Sequence, residues 1–165
     1  MATATAFTTS SDEIYRIAGS ALLAPQREPA VFIHGRPDGL MHFGSRATGD
    51  AVTVCFDVSV VSPLALSRVR AAAASPGGAA EAVGREKHAS YDEEAAVAGS
   101  TLVALVIDCF GAWCAEGRAF ISRLARAWGS RFNLHPSTAV AVVAARLNAL
   151  AMQGVARQLL VAGSV

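Results

Sequence analysis

The sequence predicts an α/β fold in which a small mixed β-sheet is flanked by helices. Two apolar, β-branched runs, at 51–61 and 101–110, have the composition of buried strands. The Ala-rich stretch 64–98 between them favours helix, and two further helical stretches follow the second run. A helical segment between two strands of one sheet is typical of a crossover connection. We therefore expect these two strands to be parallel neighbours.

The first predicted element is an amphipathic helix in the stretch "SSDEIYRIAGSALL". Its apolar residues recur at helical spacing, and Ser10, Ser11 or Asp12 is the expected N-cap. Pro25 and Pro29 end this helix, because proline does not continue a helix from within.

Short strands are predicted after this helix. Residues 30–34 form an apolar run, and "RPDGLMHFG" (36–44) is a second strand or the continuation of the first. The polar, glycine-containing "SRATGD" (45–50) predicts a hairpin turn. The run 51–61 is apolar on both faces, which is typical of a central strand, and a Ser-Pro pair ends it.

The C-terminal half is predicted to be mostly helical. An "SPGG" turn interrupts the helix-prone stretch 64–98, and the strand 101–110 follows. The stretch 115–132 is an amphipathic helix, and a long final helix begins near Pro136. Neither a repeat nor a long linker divides the sequence, which predicts a single domain over 1–165.

Composition and charge exclude several classes of protein. With 53% hydrophobic and 16% charged residues the chain is not disordered, and a net charge of +1 gives no overall attraction to nucleic acid. The longest apolar run is interrupted by Asp108 and too short to span a bilayer, so no membrane is expected as a partner. Three cysteines without metal-site spacing, after an N-terminus without a secretory signal, predict free thiols and an intracellular location.

Two aspartates, Asp38 and Asp57, stand in the otherwise strand-like stretch 36–64. An antiparallel hairpin with its turn between Gly44 and Gly49 brings the two side chains opposite each other. Two carboxylates so close repel unless a cation lies between them. Mg²⁺ fits, because it takes oxygen ligands from one or two carboxylates and completes its shell with water and phosphate oxygens. The sequence therefore predicts a magnesium site that acts on a phosphodiester.

A single lysine accompanies the two acids. Lys87 is the only lysine among 14 Lys and Arg residues, and an ammonium group is not interchangeable with a guanidinium. It lies in the helix-prone stretch "REKHASY", where Lys87 and Tyr91 share a helical face. We expect Lys87 to position the attacking water and to offset the negative charge of the carboxylates.

The order of these motifs resembles the endonuclease domain at the C-terminus of site-specific non-LTR retrotransposons, a member of the PD-(D/E)xK nuclease superfamily. The matching segments are "RPD", "FDVSVVSPL", "EKHASY" and "CFGAW", and the tail "ARLNALAMQGVARQLL" resembles the closing helix of such domains. The resemblance implies a restriction-endonuclease-like fold and a hydrolase, dependent on Mg²⁺ or Mn²⁺, that nicks target DNA. It also implies a nuclear or other intracellular location and a reverse-transcriptase module or larger assembly as partner, with RNA left open as the nucleic acid.

The resemblance assigns roles to individual residues of this chain. It makes Asp38 and Asp57 the two metal ligands. Ser59 occupies the lysine position of the D-x-K motif, and Lys87 is the lysine supplied instead from the next helix. Tyr91 matches the family tyrosine, a neighbour of the phosphate or of the lysine. The two aspartates, the lysine and this tyrosine form the predicted catalytic set.

A third metal ligand is also implied, and the two aspartates have alternative interpretations. The superfamily often adds a glutamate from the first helix, for which Glu13 is the candidate. Asp38, between proline and glycine, is otherwise a turn residue. Asp57 is otherwise the partner of Arg36 or Arg68 in an ion pair, because a carboxylate in an apolar strand needs a partner.

The remaining charged residues have structural alternatives too. Lys87 is otherwise exposed on a solvated helix face, and Tyr91 is otherwise a core residue. Asp108 is interpreted as a strand-end cap for the following helix. The basic faces of the last two helices are either solvated or phosphate contacts; they carry Arg118, Arg123, Arg126, Arg131, Arg146 and Arg157. The alternative function is a catalytically inactive nuclease-fold module, kept for nucleic-acid binding or protein assembly.

Overall fold

Helices and strands alternate along the part of the chain that the structure describes. This computed structural model describes residues 4–21, 23, 25–27, 37–44 and 51–162 and, within these ranges, the side chains of 12–156. The elements in chain order are α1 (Ala4–Ser20), β1 (Gln26–Arg27), β2 (Gly39–Phe43), β3 (Val52–Val61), α2 (Val69–Ala74), α3 (Gly78–Val97), β4 (Thr101–Asp108), α4 (Ala115–Arg131) and α5 (Pro136–Ala162). The predicted α/β class is confirmed.

The strands form one mixed sheet in the order β1-β2-β3-β4. β2 runs antiparallel to β3, with Gly39 opposite Phe56 and Phe43 opposite Val52, as the predicted hairpin requires. β3 runs parallel to β4, and α2 and α3 connect them, which confirms the predicted crossover. The observed architecture is therefore a four-stranded mixed sheet flanked by helices.

Successive residues of β3 point alternately to the two faces of the sheet. Val54, Phe56 and Val58 enter the main core, which lies between the sheet and the helices α1, α4 and α5. Cys55 and Asp57 point to the opposite face, which α3 covers. Asp57 therefore stays out of the main apolar core and faces a single helix.

The turn after β4 explains where this strand ends. Asp108 is buried, and its Oδ1 accepts hydrogen bonds of 2.9 Å from the N–H groups of Phe110 and Ala112. β4 thus ends at Asp108, two residues before its predicted end, and the carboxylate closes the turn that follows. The predicted role of Asp108 as the cap of the following helix is wrong, because its bonds go to the turn and not to the helix. The cap of α4 is Cys114, whose Sγ accepts the N–H of Gly117 at 3.2 Å.

The first helix differs from its prediction at its start. α1 begins at Ala4, so residues 10–12 lie inside the helix and the predicted N-cap is wrong. Residues 4–11 contain neither proline nor glycine, so the helix extends through them without a break. The predicted strand 30–34 and the predicted turn 45–50 lie outside the described residues.

α5 is the most apolar helix of the described chain. Its stretch Pro136–Ala156 has a mean hydropathy of 1.5, is long enough to cross a bilayer and is 28% buried. Ala139, Val143 and Leu147 on this helix pack in the main core against α1 and α4. The core helix of a soluble protein meets the same criteria of length and composition, so the finding is weak evidence for a membrane.

Candidate active site

Asp38 and Asp57 lie next to each other where the pairing of β2 with β3 ends. Gly39 is opposite Phe56, so one further step of the register places Asp38 opposite Asp57. Asp38 precedes β2, and its Oδ2 accepts a hydrogen bond of 2.6 Å from the N–H of Val58. The backbone pairing of β2 with β3 ends at Gly39, and the side chain of Asp38 makes the next hydrogen bond to β3. The structure brings the two predicted carboxylates together on one face of the sheet.

The carboxyl group of Asp38 is strongly perturbed by its surroundings. Burial raises the pKa of Asp38 to about 6, although the hydrogen bond from Val58 acts in the opposite direction. The charge of Asp57 and a hydrogen bond between the two carboxyl groups raise this pKa as well, while the charge of Lys87 lowers it. Two carboxyl groups that repel each other in this way form a site that a bound cation stabilises.

Lys87 completes the cluster from α3. Its Nζ forms an ion pair with Oδ2 of Asp57, and the side chains of Lys87 and Asp57 are 16% and 22% exposed. The pair is therefore sheltered but still reached by solvent, as a site for a small ion and a phosphate has to be. The acids and the lysine meet as the sequence predicts, while their catalytic roles stay a prediction.

The ion-pair partner of Asp57 in the described chain is not one of the arginines. Arg68 does not contact Asp57, because its guanidinium forms a bidentate ion pair with the carboxylate of Glu86 on α3. The other candidate, Arg36, lies outside the described residues. Within the described chain the ion-pair partner of Asp57 is the lysine.

Tyr91 lies one helical turn beyond Lys87 on the same face of α3. Its ring packs against the small apolar cluster of Cys55, Ala95 and Leu102. This placement agrees with the interpretation of Tyr91 as a core residue. A contribution of its hydroxyl group to catalysis stays a prediction.

Glu13 contacts arginines and is not among the contacts of Asp38, Asp57 and Lys87, and its role as a metal ligand stays a prediction. Its carboxylate accepts hydrogen bonds from Arg16 at 2.7 and 2.8 Å, and Arg146 of α5 forms a third contact of 2.8 Å. The hydrogen bond from Arg16 is the main reason why the pKa of Glu13 is lowered. Both oxygens are thus used by guanidinium groups. Among the described residues, moreover, no group of three or more His, Cys, Asp or Glu side chains could hold a metal.

A second cluster of titratable groups, around His88, was missed in the sequence. Nδ1 of His88 contacts Asp92 and Nε2 contacts Glu116, both at 2.7 Å. Glu116 also accepts the N–H of Ala104 at 3.0 Å, so the cluster joins α3, α4 and β4. The spacing of His88 and Asp92, four residues apart on one helix, was the available signal. Glu116 is 28 residues from His88 in sequence, so no spacing rule could indicate its contact with the histidine.

His88 is expected to make the stability of the protein depend on pH. Burial lowers the pKa of His88, but the hydrogen bonds and charges of Glu116 and Asp92 outweigh it and raise the pKa above its usual value of 6.5. A raised histidine pKa stabilises the fold below about pH 6.5, and this contribution is lost as the pH rises through the folded-state pKa. The wild-type protein should therefore be more stable than His88→Gln by about 1 kcal/mol at pH 5.5.

Urea unfolding of both proteins at pH 5.5 and pH 9 measures this difference. The gap between wild type and His88→Gln should shrink at pH 9, where the imidazole is neutral. A gap that is the same at both pH values would show that His88 is not charged in the folded protein. Asp12→Asn, which changes a surface ion pair with Arg27 on the other side of the sheet, is a suitable control.

The basic faces of α4 and α5 lie away from the acidic pair. α4 packs on the sheet face opposite to the one that Asp57 occupies, and α5 packs against α1 and α4 on that same side. Arg123 stacks on the ring of Phe43, with its Cζ 4.0 Å from the ring centroid, and Arg146 is paired with Glu13. A phosphate beside Asp57 would thus be on the other side of the sheet. These arginines are not part of the candidate site.

Comparisons with known proteins do not assign this chain to a family. A scan against protein-family models gives no match for this chain, and a search of curated proteins finds no significant relative. The functional argument therefore rests on the arrangement of Asp38, Asp57 and Lys87 and on the order of the sequence motifs that contain them.

Proposed function

We propose that this protein is a metal-dependent DNA endonuclease of the PD-(D/E)xK type, with a restriction-endonuclease-like fold. One observation carries the proposal: Asp38 and Asp57 lie side by side on one face of the sheet, with Lys87 from the facing helix in contact with Asp57. Two carboxylates and an amine from three different elements are the groups that metal-assisted phosphodiester hydrolysis needs.

The donor atoms at this site suit Mg²⁺ or Mn²⁺. Asp38 and Asp57 offer carboxylate oxygens, and burial together with the charge of Asp57 raises the pKa of Asp38, so a bound cation would favour its ionised form. Mg²⁺ is commonly held by one or two carboxylates, with water and substrate phosphate completing its shell. When bound, the ion would lower the pKa of a coordinated water and stabilise charge on the phosphate.

The residues of the chain would divide the remaining tasks. The Val58 N–H fixes the carboxylate of Asp38, so this ligand is oriented before any substrate arrives. Lys87 places an ammonium group where it positions water or offsets the charge that develops on the phosphate. In this structure Lys87 uses an oxygen of Asp57 that a metal ion would also use. Lysine and metal ion therefore compete for Asp57.

The biological setting is part of the same proposal. A nuclease of this type in a retrotransposon nicks target DNA so that a reverse-transcriptase module can use the free 3′ end as its primer. Such a protein works inside the cell, in the nucleus or wherever the DNA is accessible. RNA is the alternative substrate, since the chemistry at the phosphate is the same.

Nicking of supercoiled plasmid tests the proposal. The protein is expected to convert supercoiled plasmid to open circles with Mg²⁺ or Mn²⁺ and to be inactive when EDTA is present. The measured quantity is the rate of open-circle formation on an agarose gel. Cleavage that is unaffected by EDTA, or no cleavage with either ion, would contradict a metal-dependent DNA endonuclease.

A second candidate function, an inactive nuclease-fold module used for binding or assembly, is favoured by the charge of α3. This helix carries five acidic residues against Arg85 and Lys87, so the side from which DNA would approach is acidic. Thermal melting discriminates between the two functions. An active site is stabilised by millimolar Mg²⁺ or Mn²⁺, because a ligand that binds the native state raises the melting temperature. The melting temperature of an inactive module should not change when either ion is added.

A further inference from the structure

Tyr15 of α1 is the side chain that joins this helix to the acidic pair. Its hydroxyl group donates a hydrogen bond to the backbone carbonyl of Asp38 and lies 3.1 Å from the carbonyl of Gln26 on β1. These contacts connect α1 to the segment that precedes β2. Glu13, two residues earlier, faces the arginines instead. The first helix thus reaches the site through a neutral hydroxyl group and not through a carboxylate.

The ring of Tyr15 is fixed by its neighbours, so the position of its hydroxyl group is well defined. The ring packs on Phe56 with 5.7 Å between centroids, and Cζ of Arg27 lies 4.4 Å from the ring centroid on another side. A Cβ atom at position 39 would collide with both the hydroxyl group of Tyr15 and the ring of Phe56. Gly39 therefore permits the close approach of Tyr15 to the backbone of Asp38.

We infer that Tyr15 is a positioning residue for Asp38. This inference rests on the proposed function, in which Asp38 holds the metal ion. Asp38 lies outside the β2–β3 ladder, so the regular backbone pairing does not fix it. Two hydrogen bonds do: Tyr15 binds its carbonyl oxygen, and the N–H of Val58 binds its carboxylate. The backbone and the side chain of Asp38 are thereby oriented at once.

The geometry gives Tyr15 an effect on Asp38 that is separate from its effect on the fold. Removal of the hydroxyl group leaves the packing on Phe56 and the contact with Arg27 in place. The carbonyl of Asp38 then loses the donor from Tyr15, and the hydrogen bond from Val58 to the carboxylate no longer has this support from the backbone. Ligand groups with a looser orientation bind a metal ion more weakly.

Tyr15→Phe tests the inference without any metal. Hydrogen exchange of the Val58 amide, followed by NMR, should be about five- to tenfold faster in Tyr15→Phe, as expected for the loss of one supporting hydrogen bond. Val54 lies within the β2–β3 ladder, opposite Met41, and its amide is the internal reference for global unfolding. The exchange rate of the Val54 amide should change less than that of the Val58 amide. Ser20→Ala removes another hydroxyl group of α1, bonded to the carbonyl of Ile17, and should leave Val58 unchanged.

The dependence of nicking on Mg²⁺ supplies the second readout. Tyr15→Phe should raise the Mg²⁺ concentration for half-maximal nicking about tenfold, with a smaller change in the rate at saturating Mg²⁺. A residue with only a structural role would lower the melting temperature and leave this concentration unchanged. Unaltered exchange at Val58 overturns the inference whatever the activity. Faster exchange at Val58 in a protein that never nicks DNA refutes the endonuclease but supports the positioning of Asp38 by Tyr15.

Discussion

Asp57→Asn is expected to lower Mg²⁺-dependent nicking by at least about a thousandfold, a loss of roughly 4 kcal/mol of transition-state stabilisation. The substitution keeps the size of the side chain and removes one of the two negative charges that hold the ion. It also removes the charge of Asp57, which adds to the effect of burial in raising the pKa of Asp38. Lys87 loses its partner at the same time, so the two effects on stability oppose each other. The variant should therefore stay folded.

Plasmid nicking over a range of Mg²⁺ concentrations measures this effect, with circular dichroism to confirm the fold. Asp92→Asn is the matched control, because it makes the same chemical change on α3 beside His88, outside the acidic pair. It should nick at close to the wild-type rate. Nicking by Asp57→Asn at the wild-type rate would rule out Asp57 as a metal ligand, and any cleavage would then have another origin.

Lys87→Met is expected to change two measurements in opposite directions. Nicking should fall about a hundredfold, because the ammonium group no longer helps the metal ion to offset charge on the phosphate. Stabilisation by Mg²⁺ should increase, because the ammonium group no longer competes for the oxygen of Asp57. Without metal the variant should be less stable by about 2 kcal/mol, since Asp57 is left partly buried without its counter-charge.

Melting curves with and without Mg²⁺, together with plasmid nicking, measure all three effects of Lys87→Met. Glu86→Gln is the control on the same helix, where the ion pair with Arg68 is exposed to solvent and contributes little to stability. It should leave nicking and the response to Mg²⁺ close to wild type. If Lys87→Met lost stability but gained no response to Mg²⁺, Lys87 would be only the structural partner of Asp57.

The meeting of Asp38 and Asp57 could be predicted because it depends on local rules. In the stretch 36–61, two strand-like runs flank a short polar turn, which predicts an antiparallel hairpin. Side chains alternate between the two faces of each strand, so the register of the hairpin fixes which side chains share a face. Lys87 was identified as the only lysine of the chain and from the resemblance, which supplies a lysine from the next helix. The structure places it beside Asp57 because α3 covers that face of the sheet. These parts need only one hairpin and one crossover connection.

The environment of the first helix could not be predicted, because it depends on distant parts of the chain. Glu13 faces Arg146, which is more than a hundred residues away and reaches it only when α5 packs against α1. Tyr15 became part of the site through Gly39 and Phe56, whose contacts with it arise on folding. Sequence spacing carries no information on such docking. The helix was therefore predicted apart from its start, while the contact of Tyr15 with the backbone of Asp38 was not predicted.

The alternation along β3 limits which insertions and deletions this protein tolerates. Loss of one residue between Val52 and Asp57 would turn the carboxylate toward Phe120 and Leu124 and would expose the ring of Phe56 to α3. A carboxylate among those apolar side chains has no counter-charge and costs several kcal/mol, of the order of the whole stability of a small domain. Changes of length are consequently confined to the connections between elements. A shift of the register of this strand by one residue would therefore prevent folding and abolish the site as well.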